Sequence, residues 1–211
     1  MNILHLSCSP RGQAAESYRL ANKIVDMLLR RDPGASLFTR TLGESGIPHI
    51  DNTYAEAQQS AAAAAAAAAN PSCTVALSDE LIKELEEADV VVIGTPVHNL
   101  TLPSSLKAWV DHVVRAYRTF NLTSEGKAGA LKDRPVYVAV SSGGRFTGDG
   151  AHQQDFLTPY LKIVLGTIGL KDITFFSVEG TAAGPAAFAA ERKKTDERLA
   201  DHFAGRWPAG D

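Results

Sequence analysis

Cysteine is almost missing from this chain: Cys8 and Cys73 are the only two in 211 residues. Two thiols build no disulfide framework, and neither has a histidine at metal-ligand spacing. Long hydrophobic runs are missing too. No apolar stretch reaches the ~20 residues that a membrane helix needs, and no basic segment leads into an apolar one at the start. Charge of one sign is equally scarce. A formal net charge of −3 and an isoelectric point near 6.1 make no electrostatic case for nucleic acid. The basic clusters Arg30–Arg31 and Arg192–Lys193–Lys194 read as solvated helix ends. The expectation is a cytoplasmic protein that engages neither nucleic acid nor membrane.

Several catalytic signatures fail as well. A Cys-x5-Arg phosphatase loop starting at Cys8 would need arginine at position 14, which is Ala14. There is no G-x-x-x-x-G-K-[ST] loop, no G-x-S-x-G elbow and no H-E-x-x-H pair. No strand-linked G-x-G-x-x-G argues for a resident dinucleotide. No metal site is expected.

What is present is an ordinary globular composition, 45% apolar and 21% charged, in a length that suits one domain over residues 1–211. Short runs rich in β-branched or aromatic residues predict strands at Ile3–Leu6, Ser36–Arg40, Val90–Gly94, Val136–Ser141 and Ile173–Val178. Helical patterns lie between and after them, at Tyr18–Arg30, Ser78–Glu87, Pro103–Tyr117, Asp155–Ile168 and Pro185–Phe203. Ser78 is read as an N-cap, with Asp79 and Glu80 favouring the helix dipole. Alternation of this kind implies an α/β fold. The expected architecture is a flavodoxin-like, doubly wound, five-stranded parallel sheet of order 2-1-3-4-5 with helices on both faces, and a ligand at the β1/β3 switch point. The stretch of about 43–77 is irregular. Its nine alanines, Ala61–Ala69, favour helix but carry no chemistry.

Function in such a sheet belongs to the loops after the strands. The first loop runs from Ser9 to Ser17 and opens a helix. Unpaired amides at a helix N-terminus hold an anion, and the hydroxyls of Ser9 and Ser17 add donors. The same loop also reads as a plain turn with serine caps. The second loop, Thr95–Leu100, offers a rigid turn, the ring of His98 and the amide of Asn99. By itself His98 is an ordinary loop histidine. The third loop, Ser141-Ser142-Gly143-Gly144, lets a backbone approach a flat ligand closely. Convergence of the three describes a flavin mononucleotide (FMN) site. Its ring would rest on Val97 and His98, and its phosphate would reach the first loop.

On these residues the chain resembles the FMN-dependent NADH-azoreductases, which are also NADH:quinone oxidoreductases of flavodoxin-like fold. The resemblance is carried by SPRG with Ser17, by PVHNLTLPSSLKAWVDHVVRAYRTF, by SSGG and by LTPYLKIVLGTIGLKDITFFSVEG. It implies phosphate contacts at Ser9, Glu16 and Ser17, and ring contacts at Pro96, Val97, His98, Asn99, Leu100, Ser141, Ser142, Gly143 and Gly144. It also implies a homodimer with sites at the interface and Phe120 in the substrate pocket near the neighbouring flavin. The apolar stripe of the Pro103–Tyr117 segment reads as core or as that subunit contact. The chain departs from the family pattern at Ala15, where members often carry serine, at His98, where many carry tyrosine, and at Ser142, where several carry arginine.

The expected activity is two-electron transfer from NADH or NADPH to quinones and azo compounds. One crevice serving donor and acceptor in turn implies ping-pong kinetics. His98 and Asn99 are the candidate catalytic residues. Two alternatives stay open: a flavodoxin-like electron carrier without small-molecule turnover, and a scaffold that has lost the cofactor.

Overall fold

The computed structural model describes residues 1–69 and 73–206. The chain begins β1 (Asn2–Ser7), α1 (Glu16–Arg31), β2 (Ser36–Thr41). Four helices follow: α2 (Leu42–Ser45), α3 (Asn52–Ala57), α4 (Ala61–Ala69) and α5 (Cys73–Glu87). Then come β3 (Val90–Pro96), α6 (Ser104–Val113), and the short strands β4 (Phe120–Thr123) and β5 (Gly126–Gly129). The last elements are β6 (Val136–Ser141), α7 (Thr158–Thr167), β7 (Ile173–Val178) and α8 (Pro185–Arg206).

Five strands form one parallel sheet of order β2-β1-β3-β6-β7. All five lie where the sequence places them. The strand numbering differs from the expected order because β4 and β5 pair antiparallel in a sheet of their own. Alternate residues of the central strands point to opposite faces. Leu4, Leu6, Val91, Ile93, Val138 and Val140 pack with Leu81 and Leu85 of α5, Leu106 and Trp109 of α6, and Leu161 of α7. Ile3, Val90, Val92, Tyr137 and Ala139 pack with Leu20, Ile24 and Leu28 of α1 and Leu199 of α8. Burying each large aliphatic side chain contributes about 1.5–3 kcal/mol, and this two-sided core fixes where the strand ends lie.

The structure corrects several expectations. β2 is not a buried strand: Leu37 and Phe38 are 44% and 51% exposed, because an edge strand has one neighbour and is left open on its outer side. Ser78 is not an N-cap. α5 starts at Cys73, and the Ser78 hydroxyl is buried inside, donating to the His112 carbonyl at 2.6 Å. Asp79 pairs with Arg115 instead of serving the helix dipole. α6 stops at Val113, not Tyr117, and Leu106, Trp109, Val110 and Val113 are consumed by the chain's own core. Of the remaining stripe residues, Val114 packs partly buried against that core and Tyr117 is exposed.

The irregular stretch is largely helical. Residues 70–72 of it lie outside the described residues. Its one large anchor is Tyr54, fully buried on α3. The Tyr54 hydroxyl lies 2.9 Å from the Asp111 carbonyl and 3.0 Å from that of His112. Asp51 caps α3 by accepting from the Tyr54 amide at 2.8 Å. Arg115, itself buried, donates to Asp79 at 2.7 Å and to Ser78 at 3.3 Å. Gln58 accepts from the Ala116 amide at 2.9 Å, and His112 Nε2 lies 2.9 Å from the Pro48 carbonyl. Of these side chains only His112 Nδ1 keeps an unused site.

Candidate active site

β1, β3 and β6 are neighbours, and the loops leaving their C-terminal ends share one crevice of about 430 Å³. Small-molecule sites typically occupy ~300–1,000 Å³.

The first loop wraps tightly before α1. A single 3-10 turn, Gly12–Ala14, delivers Ala15 as the N-cap of α1, and alanine has no side chain with which to cap. The Arg19 amide is the first to close a helical turn, onto the Ala15 carbonyl at 3.1 Å. The amides of Glu16, Ser17 and Tyr18 precede it and have no partner among the described residues. Ser9 is buried, and its Oγ accepts from the Arg11 amide at 3.2 Å, which leaves the hydroxyl proton to donate. Ser17 Oγ is fully buried with no partner. Two close approaches hold this arrangement. A Cβ on Gly43 would lie 2.1 Å from the Ser9 carbonyl oxygen, so α2 presses on the back of the loop. A Cβ on Gly94 would lie 3.0 Å from the Ser17 carbonyl, so the first turn of α1 rests on β3. Cys8 lies underneath, fully buried, and burial pushes its thiol far above the ordinary range, which excludes a nucleophilic role.

The second loop is a two-residue hairpin turn. His98 and Thr101 exchange both backbone bonds at 3.0 Å, around Asn99 and Leu100 at φ +48° and +70°. Positive φ at both central residues is the type I′ pattern. It suits Asn99 and is costly for Leu100. The Val97 amide donates to the Ser141 carbonyl at 2.8 Å and ties this loop to the third.

The third loop is fixed from behind. The Ser142 amide donates to the Val178 carbonyl at 3.0 Å, and Gln153 Nε2 donates to Ser142 Oγ at 3.0 Å. Glu179, just past β7, accepts from the Phe146 amide at 2.8 Å and from the hydroxyls of Thr147 and Ser177 at 2.6 and 2.8 Å. Burial pushes its carboxyl upward, but these bonds outweigh burial and hold it below the usual carboxylate range. The amide of Gly143 has no partner among the described residues.

The crevice gathers Ser9, Glu16, Pro96, Val97, His98, Ser141, Ser142 and Gly143 from the predicted set. Ser17 lies just behind its wall. Asn99 and Leu100 are exposed in the turn and do not line it, and Gly144 stands back, its carbonyl accepting from the Gly180 amide at 3.1 Å. Phe120 is buried in the chain's own core, with Lys127 Nζ 4.9 Å from its ring centre, and is not in the lining. Beyond the backbone of the first loop, sequence reasoning missed the lining residues Arg11, Thr181, Phe188 and Arg192. Arg11 stood in plain view inside SPRG. The other three come from the region around α8, with no local signal to connect them to α1. Among the described residues no group of acidic, histidine or cysteine side chains is arranged to hold a metal.

The two ends of the crevice differ. One offers the start of α1, the Ser9 hydroxyl with that of Ser17 just behind the wall, and two guanidinium groups, Arg11 and Arg192, the chemistry of a phosphate site. The other offers Pro96, Val97 and the flat ring of His98, a seat for a planar group. No helix of the described residues is long and apolar enough to cross a membrane.

Comparison with known proteins identifies the family and the fold. Residues 1–203 match the family described as flavodoxin-like fold. FMN-dependent NADH:quinone oxidoreductase 4 of Pseudomonas fluorescens is 44% identical over 186 residues, 88% of this chain and 87% of that protein. FMN-dependent NADH:quinone oxidoreductase 5 of Burkholderia lata is 43% identical, over 90% of this chain and 91% of that protein. Among solved structures, an azoreductase from Bacillus anthracis superposes with a TM-score of 0.79 at 23% identity, covering 96% of this chain and 98% of that one. An FMN-dependent NADH-azoreductase of Bacillus anthracis, solved in complex with FMN, gives 0.74 at 22% identity, covering 96% of this chain and 100% of that one.

Proposed function

This chain belongs to the flavodoxin-like fold family and, within it, to the FMN-dependent NADH:quinone oxidoreductases, and from that premise we propose that its crevice binds FMN and passes two electrons from NADH to quinones, with azo compounds as further acceptors. The observation that carries the reading is Ser17 Oγ, a buried hydroxyl without a partner beside three open amides. Such a group is costly to leave unsatisfied, and a phosphate supplies the acceptor it lacks.

Ser9, Ser17 and the amides of the first turn of α1 hold the phosphate, and Arg11, in the same loop and lining, adds charge. Pro96, Val97 and His98 provide the face for the ring, and the Gly143 amide meets its edge. Asn99 and Leu100 act by shaping the turn that presents His98. When bound, FMN supplies the redox chemistry, taking hydride from the nicotinamide and passing electrons to a conjugated acceptor. His98, exposed at the rim, meets the incoming acceptor and offers it a stacking face or a proton.

We further propose a homodimer in the cytoplasm. Leu100 and Phe156 are 40% and 55% exposed beside the crevice, joined by the Phe156 amide donating to the Leu100 carbonyl at 3.3 Å. A second copy seated on them would close the rim. Phe120 would act in that closed site only after moving from the core.

The test is a spectrum followed by kinetics. Protein loaded with FMN and desalted should be yellow and should bleach on anaerobic addition of NADH. Initial rates over a grid of NADH and quinone should give parallel double-reciprocal lines. Bleaching without steady quinone-dependent turnover would favour an electron carrier, and a colourless protein would leave a scaffold.

A further inference from the structure

We propose that Arg192, brought to the crevice by α8, neutralises Glu16 at the phosphate end and so gives the site its preference for a phosphorylated flavin over a neutral one; the proposal rests on the FMN reading above. Glu16 is an awkward residue for this place. It is the first residue of α1, its carboxylate is only 8% exposed, and an incoming phosphate would occupy the same helix N-terminus. The helix dipole favours a carboxylate there. It favours a phosphate dianion for the same reason, and two anions sharing one field repel.

The structure answers this with two guanidinium groups. Arg19 Nε donates to Glu16 Oε1 at 2.7 Å. Its charge is divided, because Arg19 Nη1 also lies 3.1 Å from Asp196 Oδ1. Arg192 is the second cation. Its Nε donates to Glu16 Oε2 at 2.8 Å, and its Nη2 bonds the same oxygen. The guanidinium carbon sits 4.3 Å from the centre of the Phe188 ring, so the plane is held by stacking as well as by the carboxylate. Both Arg192 and Phe188 line the crevice, whereas Arg19 does not. Arg192 is therefore the cation that faces the ligand and cancels the charge of Glu16.

The experiment measures dissociation constants for FMN and for riboflavin, the same ring system without the phosphate, by flavin fluorescence. Wild type is compared with R192Q, R192K and E16Q/R192Q. R192Q should weaken FMN about tenfold, the scale of one lost charge-assisted bond, and change riboflavin less than about twofold. R192K keeps the charge and should keep most of the preference for FMN. E16Q/R192Q removes carboxylate and guanidinium together and should restore FMN affinity to within about threefold of wild type. Equal losses for FMN and riboflavin in R192Q would make α8 a purely structural wall and overturn the proposal. So would an unchanged FMN affinity, an R192K protein as selective as R192Q, or a double variant no better than R192Q. A wild-type protein that binds riboflavin as tightly as FMN overturns the reading of the crevice itself, independently of Arg192.

Discussion

Two polar regions of the molecule treat their hydrogen bonds in opposite ways. Under the irregular stretch, Tyr54, Ser78, Gln58, Arg115 and the carbonyls of Asp111 and His112 satisfy one another within the chain. At the start of α1, three amides and the Ser17 hydroxyl have no partner among the described residues. Folded proteins rarely leave buried polar groups unpaired. A saturated cluster holds elements together, whereas an open one beside a crevice is waiting for a ligand. The contrast predicts that mutations in the first region cost stability and spare binding, and that mutations in the second do the reverse.

The largest effect should come from the saturated side. Tyr54→Ala removes a fully buried aromatic ring and should lower unfolding free energy in urea by about 3–5 kcal/mol. FMN affinity of the fraction that remains folded should be unchanged, and a parallel loss of both would erase the distinction between the regions.

A third kind of site sharpens the comparison. His5 is buried on β1 against Tyr18, with Nε2 unpaired, yet it does not line the crevice. Burial pushes its pKa from 6.5 down to about 4. The unfolded chain therefore takes up a proton between these values while the folded chain stays neutral. The stability conferred by neutral His5 is complete above pH 6.5 and is lost as pH falls through 4. At roughly 1.4 kcal/mol per unit the loss totals about 3 kcal/mol. Urea titrations at pH 7 and pH 4 should show this slope, and His5→Gln should flatten it. The two orphans differ in their surroundings: Ser17 directly follows Glu16, which lines the crevice, whereas His5 sits on β1 against the Tyr18 ring.

Ser17→Ala should act on binding alone. FMN affinity should weaken by about 1–3 kcal/mol, while thermal stability of the apoprotein stays level or rises, because a buried unsatisfied hydroxyl has been removed. A destabilised apoprotein with normal FMN affinity would place Ser17 with the anchor. The smallest expected change is in His98→Ala, a few-fold rise in acceptor KM, on the order of 1 kcal/mol, with FMN still bound. Steady-state rates with a quinone series measure it.

The five strands and the three loops were legible because buried parallel strands are short apolar runs and because the loops follow them directly. Ser9, Glu16, Pro96 to His98 and Ser141 to Gly143 meet as the pattern implied. Other features were hidden for physical reasons. β4 alternates apolar and polar residues for only four positions, and β5, Gly126–Gly129, is exposed throughout and held by its partner strand rather than by a buried face. Ser78 looks like a cap until the carbonyl of His112, 34 positions away, is seen to claim it. The α6 stripe has the same spacing whether a sheet or a subunit covers it. Arg192 belongs to a basic run that reads as solvent-facing, and only the pairing with Glu16 turns it inward. Asn99 and Leu100 entered the ring-contact set through the family resemblance; in the structure they are the central residues of a tight turn, outside the crevice lining.

The bond between Arg192 and Glu16 spans 176 positions, and this has a consequence for the order of events during synthesis. The loop before α1 leaves a ribosome ahead of the α8 wall that completes its crevice. At ~5–20 residues per second the delay is roughly 10–35 s. Throughout that interval the loop can be made but the crevice cannot be closed. A ligand that needs both walls of the crevice is thereby captured only after the sheet has been assembled.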